Sequence, residues 1–214
     1  MKTTTTEIRQ AQTPNMELRR AVVNELRAES DGKLVGYAAV FGKRSVDLGG
    51  FVEVIQKGAF AKSMGDDIRA LIDHEGIAIA RTENGTLSLK EDNTGLRVEI
   101  DPADTTAGND IRKSVERGDV DQMSFGFRVR EGGQIFSEDE DGMILRTLTD
   151  VILREVSIVT FPAYPDTSVA KRSVQAWQDE ANQTSLAELV ESEGQRQRNL
   201  AEIRRRQIEG FNHG

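Results

Sequence analysis

Residues 151–161 constrain this chain more than any other segment. The run is rich in valine and isoleucine and stops at Pro162, as a strand does when a proline halts its ladder. A strand so apolar must be covered on at least one face, and short β-prone segments recur ahead of it. Residues 21–26 and 34–41 are apolar, with Gly36 and Gly42 as punctuation, and residues 51–55 alternate with period two. Residues 68–74 form another strand candidate. Residues 86–90 and 96–100 flank Asn93-Thr94-Gly95, a hairpin signal, and residues 122–130 and 144–148 resume the pattern.

Two segments change period. Ile111 and Val115 lie four apart among charged residues, which predicts a short amphipathic helix over 106–117 closed by Gly118. Residues 58–63 read as one or two helical turns. After Asp166 the β-branched runs disappear, and residues 174–208 are rich in Gln, Glu, Arg and Ala. A thin stripe of Leu186, Leu189, Val190, Leu200 and Ile203, broken near Gly194, predicts one or two solvent-facing helices. The expected fold is therefore mainly β with helices (α+β). It is an antiparallel β-barrel, closed or half-closed, ringed by helices and followed by a helical C-terminal tail. Residues 1–16 are expected to form a flexible arm, 17–170 one domain, and 171–214 the tail.

Charge and composition narrow the function classes. The net charge is −8, and residues 171–214 carry seven basic and seven acidic residues, so the excess lies in residues 1–170. An acidic body argues against nucleic acid as the main partner, the cluster Arg204, Arg205, Arg206 being a solvated helix end. No stretch approaches the roughly 20 apolar residues of a membrane span, and the Thr- and Gln-rich start is not expected to act as a secretory signal. With no cysteine, thiol nucleophiles and Cys-ligated metal are excluded. The acidic run 138–141 lacks the spacing of a calcium loop, and there is no Gly-rich phosphate loop, so no cofactor and no metal is expected.

Only two imidazoles exist, His74 and His213, and His213 is the penultimate residue. His74 ends a strand candidate between Asp73 and Glu75. In Met123-Ser124-Phe125-Gly126-Phe127 the apolar residues point one way, and Ser124, Gly126 and Arg128 the other. Gly126 removes a side chain beside Ser124, which opens room for a substrate backbone. A serine hydroxyl needs an adjacent base, and His74 is the imidazole placed to act as one. Asp73, Glu75, Asp150 and Glu155 are candidates to orient that imidazole. Glu155 stands out because it interrupts the apolar run, where a carboxylate must be paired or hydrogen-bonded. Ser157 is a rival nucleophile, and a salt bridge is the bland alternative for Glu155.

Several fragments, in order, resemble the caudovirus prohead serine proteases. They are Gly36-Tyr37-Ala38-Ala39-Val40-Phe41, Gly58-Ala59-Phe60, Asp73-His74-Glu75, Met123-Ser124-Phe125-Gly126-Phe127 and the block from Glu155 to Tyr164. The resemblance spans residues from about 20 to 170. It implies a herpesvirus-assemblin type of fold and serine endopeptidase chemistry, with Ser124 as nucleophile, His74 as base and Glu155 as third member. It also implies a maturation protease acting in the host cytoplasm, inside the immature prohead. Its implied partners are the major capsid protein, scaffolding segments and the chain itself, with self-association possible through the tail. One departure is Asp73, where relatives often carry Asn, and whose charge could compete with Glu155 for the imidazole. The alternative from another class is a non-catalytic capsid-assembly or scaffolding protein.

Overall fold

Strand β9 organises the fold, and its alternation says why. In the computed structural model, which describes residues 16–21, 25–160 and 168–211, β9 covers Gln122–Val129. Met123, Phe125 and Phe127 are buried in the core, and Ser124, Gly126 and Arg128 lie on the opposite face. Phe125 packs edge-on to Phe60 at 5.4 Å and lies 5.1 Å from Phe127. Strand β1 (Glu17–Arg20) pairs antiparallel with one edge of β9, and β12 (Val151–Val159) with the other. Beyond β12, β5 (Arg69–Ile72) pairs parallel to it and turns back into β6 (Glu75–Arg81). The five-stranded order is β1-β9-β12-β5-β6.

Two smaller sheets complete the core. One has the order β2-β3-β8-β7, from Arg27–Ala28, Leu34–Val40, Gly95–Ile100 and Leu87–Glu91. The other has the order β10-β11-β4, from Gln134–Glu138, Ile144–Leu148 and Phe51–Ile55. Helix α1 (Thr106–Glu116) is capped by the Thr105 hydroxyl, which accepts from the Gly108 N–H, and Gly118 ends it at φ +78°. Its Ile111 and Val115 join a core that includes Leu34, Leu96 and Ile100 of one sheet, Leu148 of another and Leu153 and Val156 of β12.

The α+β class stands, but the barrel does not. Among the described residues the strands fall into three sheets, and β1, β6, β2, β7, β10 and β4 end those sheets without a further ladder partner. Closure needs hydrogen bonds across every seam; here the sheets meet through side chains instead. Nor is the pairing purely antiparallel, since β12 with β5 and β11 with β4 run parallel. Sequence alternation identifies which face of a strand is apolar but not which strand lies beside it. The strand expected over 21–26 is displaced to its flanks, β1 and β2, and residues 22–24 lie outside those described.

By internal contact the chain divides into two compact units, residues 1–170 and 171–214. Helix α2 (Ser168–Phe211) is continuous through Gly194, one helix where one or two were expected. A single helical glycine costs only about 1 kcal/mol against alanine. The side chains of Leu186, Leu189, Val190, Leu200 and Ile203, with the arginines 204–206, lie outside those described. So do residues 1–15 of the expected arm 1–16, residues 161–167 and His213. Among the described residues no helix is long and apolar enough to cross a membrane.

Candidate active site

His74 is placed by a two-residue turn. Ile72 pairs with Glu75, and Asp73 and His74 connect them at φ +49° and +62°. Both central residues of a I′ hairpin turn need positive φ, and Asp and His are among the non-glycine residues that tolerate it. Three hydrogen bonds hold Asp73 there. Its N–H donates to the Ile158 carbonyl at 2.9 Å, and its carboxylate accepts from the Thr160 N–H at 2.8 Å and the Thr160 hydroxyl at 3.1 Å. Asp73 therefore ties the turn to the end of β12, and these hydrogen bonds run to Ile158 and Thr160 rather than to the imidazole.

Glu155 reaches the imidazole through an irregularity in β12. Val151 and Leu153 face the core, and strict alternation would send residue 155 after them. Instead Leu153 pairs with Phe127 and Glu155 with Gly126, so Arg154 is an extra residue, a β-bulge. Past it Val156 and Ile158 take the core face, opposite Phe125 and Met123. Glu155 and Ser157 thereby join Ser124 and Gly126 on the other face. The Glu155 carboxylate, 8% exposed, lies 2.8 Å from His74 Nδ1, itself on a side chain 10% exposed. A carboxylate only accepts, so Nδ1 carries the proton and Nε2 is left as the acceptor of the neutral ring. Nε2 is buried and has no hydrogen-bond partner among the described residues.

Ser124 sits opposite Ser157 in the ladder, two rungs from the Gly126–Glu155 pair and on the same face. It is 2% exposed, and its hydroxyl donates to the Arg19 carbonyl of β1 at 2.9 Å. His74 and Glu155 are thus in direct contact, while Ser124 shares their face with its hydroxyl turned toward β1. Ser157 is fully buried, and its hydroxyl donates to the second oxygen of Glu155 at 2.5 Å. Gly126 has a different task from the one its position suggested. A Cβ there would collide with Glu155 Oε1 and lie 3.2 Å from its Cδ and Cγ. The space is filled by the carboxylate rather than left open for substrate.

Asp150 and two further charged groups are engaged elsewhere. Asp150 pairs with Lys62 at 2.6 Å and Arg130 at 3.1 Å. Arg81 is clamped by Asp67 at 2.6 and 2.7 Å, which holds its guanidinium above its usual value and the Asp67 carboxyl below its own. Asp139 accepts from the Asp141 and Met143 N–H groups in the β10–β11 turn and pairs with Arg44, which keeps its carboxyl low. Among the described residues no three His, Asp or Glu side chains converge as a metal site would require.

Sequence reading missed the buried ion cluster behind β1. Glu17, Arg19, Glu53 and Arg146 are all buried, and Arg146 bridges both carboxylates. It missed Ser157 as a donor to Glu155. It also missed the bulge, although the slip from Val151 and Leu153 to Val156 and Ile158 was a legible signal.

The family described as Caudovirus prohead serine protease matches residues 20–180, a span that contains His74, Ser124, Gly126, Glu155 and Ser157. No curated protein and no solved structure gives a match. The matched span is well over half of the 214 residues, and it carries a paired histidine and glutamate on the same sheet face as a serine. On that evidence the chain belongs to the caudovirus prohead serine protease family.

Proposed function

We propose that this chain is a prohead maturation protease, a serine endopeptidase in which Ser124 is the nucleophile, His74 the general base and Glu155 the group that orients it. The observation that carries the proposal is the 2.8 Å contact of His74 Nδ1 with Glu155, with Nε2 buried and unpartnered among the described residues. A ring held this way accepts a proton at one nitrogen only, as a general base must. The substrates are segments of the capsid and scaffolding proteins, and of the chain itself, within the immature shell.

In the resting arrangement the Ser124 hydroxyl donates to Arg19. Attack requires it to turn to Nε2, and catalytic hydrogen bonds often form only with substrate bound. The Ser124 oxygen then adds to the scissile carbonyl as its proton passes to Nε2. The imidazolium so formed is stabilised by Glu155, and it protonates the departing amine as the peptide C–N bond breaks. Water, deprotonated by the same nitrogen, releases the acyl group and restores the serine.

The test uses the full-length protein and a serine-reactive fluorophosphonate, with the labelled residue mapped by peptide mass. Labelling at Ser124, its loss in Ser124→Ala and cleavage of the phage capsid protein by the wild type are expected. Labelling at Ser157, or none, overturns the assignment. No labelling together with no cleavage favours the non-catalytic capsid-assembly alternative.

A further inference from the structure

We propose that Gly126 and Ser157 are positioning residues that together aim the Glu155 carboxylate at His74, a role that rests on the serine-protease function proposed above. The two oxygens of Glu155 do separate things. Oε1 meets His74 Nδ1 at 2.8 Å, and Oε2 accepts from the Ser157 hydroxyl at 2.5 Å. A carboxylate bound at one oxygen can still swivel about its Cγ–Cδ bond. One bound at both, by partners on β12 and in the β5–β6 turn, cannot. Ser157 follows Glu155 by two residues on the same face of β12, so the strand's own pleat supplies the second hold.

Gly126 supplies the third. It stands across the ladder from Glu155, and the carboxylate lies over its α-carbon, where a methyl would overlap Oε1. The neighbour that must give way is the far end of a flexible side chain, not backbone, and Gly126 is not among the residues with positive φ. Gly126→Ala should therefore leave the fold nearly intact and still displace the atom that holds the imidazole. That separation of activity from stability distinguishes positioning from scaffolding. A glycine needed only to build the sheet would lower the thermal midpoint in step with the activity.

The experiment uses full-length protein with two readouts. The first is the second-order rate of fluorophosphonate labelling at Ser124, with the thermal midpoint alongside. Gly126→Ala is expected to slow labelling about 100-fold, the usual cost of a misplacement near 1 Å, with little change in midpoint. Ser157→Ala is expected to slow it about 10-fold, as loss of an outer-shell hydrogen bond does, and Ser157→Thr, which keeps the hydroxyl, to recover most of the rate. In a Glu155→Ala background the methyl of Gly126→Ala has room, so the second change should cost nothing further. Losses that multiply in that background, or a Gly126→Ala variant labelled at the wild-type rate, overturn the proposal.

The second readout needs no reaction. With only His74 and His213 in the chain, side-chain nitrogen NMR of the neutral rings reports the tautomer of His74. The wild type should show the proton on Nδ1, and Gly126→Ala and Ser157→Ala should move it toward Nε2, the form free imidazole favours. A tautomer unmoved in both variants overturns the proposal. A wild type that is never labelled, but whose tautomer shifts as expected, overturns the serine-protease function and leaves the positioning role standing.

Discussion

Arg146 has a side chain with no exposure, on β11, and replacing it by alanine removes four hydrogen bonds at once. Its Nη1 donates to Glu17 at 2.6 Å and Glu53 at 2.8 Å, its Nη2 to Glu17 at 2.8 Å and its Nε to Gln134 at 2.8 Å. Burial works against its charge, but the hydrogen bonds and attraction of Glu17 and Glu53 outweigh burial and hold the guanidinium above its usual value. Arg19 is the second cation, 2.7 Å from Glu17 and 2.8 Å from Glu53. In Arg146→Ala, Arg19 alone faces two buried carboxylates, one of them uncompensated. Stranding one member of a buried pair costs about 3–5 kcal/mol, a large part of a total near 5–15 kcal/mol. For a chain of this size the midpoint should fall roughly 6–20 °C.

The assays are thermal unfolding, which reads that midpoint, and urea unfolding, with its own midpoint and slope read separately. Glu53→Gln added to Arg146→Ala removes the surplus charge and should recover part of the loss, which a double-mutant cycle isolates. Arg97→Ala is the control. Its pair with Glu99 is long, 3.6 Å, and about a third exposed, so it should cost at most about 1 kcal/mol. A loss in Arg146→Ala no larger than that control would refute the claim that the stranded carboxylate is costly.

Other outcomes follow from the same geometry. Ser124→Ala and His74→Ala should each abolish cleavage of capsid protein, and the double variant should be no worse than either, because members of one catalytic unit are non-additive; losses that multiply would separate them. Partial burial pushes the Asp92 carboxyl up, but N–H donation from Gly95 and Thr94 and the Tyr37 hydroxyl at 2.8 Å hold it below its usual range. A depressed carboxyl stabilises above its unfolded pKa, and the contribution is lost as pH falls through the folded value. The urea midpoint of Asp92→Asn should accordingly fall less than that of the wild type between about pH 6 and about pH 3. A chain ending at Arg172 retains every strand and the three proposed catalytic residues, and it should still be labelled by fluorophosphonate; a folded but unreactive truncation would make the tail part of the catalytic unit.

How much was legible depended on whether local pattern or tertiary partner decides each feature. The apolar alternation of β9, the period change at α1 and the valine-rich β12 are local, and all three were readable. The sheet order was not, because it depends on which edges meet. Neither was β1. Glu17-Leu18-Arg19-Arg20 carries three charges, and nothing in those four residues announces that Glu53 and Arg146 will compensate them. Strand β6 escaped for a related reason: Glu75, Gly76 and Ile77 are exposed, and its pairing rests on the turn at Asp73 and His74. Within the proposed site, Glu155 was visible as a charge in an apolar run. The roles of Gly126 and Ser157 were not, because both depend on the carboxylate's position in space.

The bulge at Arg154 makes a last prediction possible, because removing it should change geometry without changing partners. In wild type, Val151, Ile152 and Leu153 pair with Val129, Arg128 and Phe127, and Glu155 resumes opposite Gly126. Deleting Arg154 places Glu155 directly after Leu153. Regular alternation then sends Leu153 to the core, Glu155 outward, Val156 to the core and Ser157 outward, as they already lie. Pairing of β12 with β5 begins at Glu155, so it is untouched. The exposed Arg154 side chain contributes nothing to the core. What disappears is the extra twist that a bulge imposes on its strand, and bulges beside active sites re-aim side chains. The deletion should therefore fold, with a cooperative transition close to wild type. It should label Ser124 about 100-fold more slowly, as expected when the orienting carboxylate misses the imidazole by about 1 Å. Labelling at the wild-type rate would mean that Glu155 reaches His74 without the bulge. Failure to fold would mean that the ladder itself depends on the extra residue, and the register argument would be wrong.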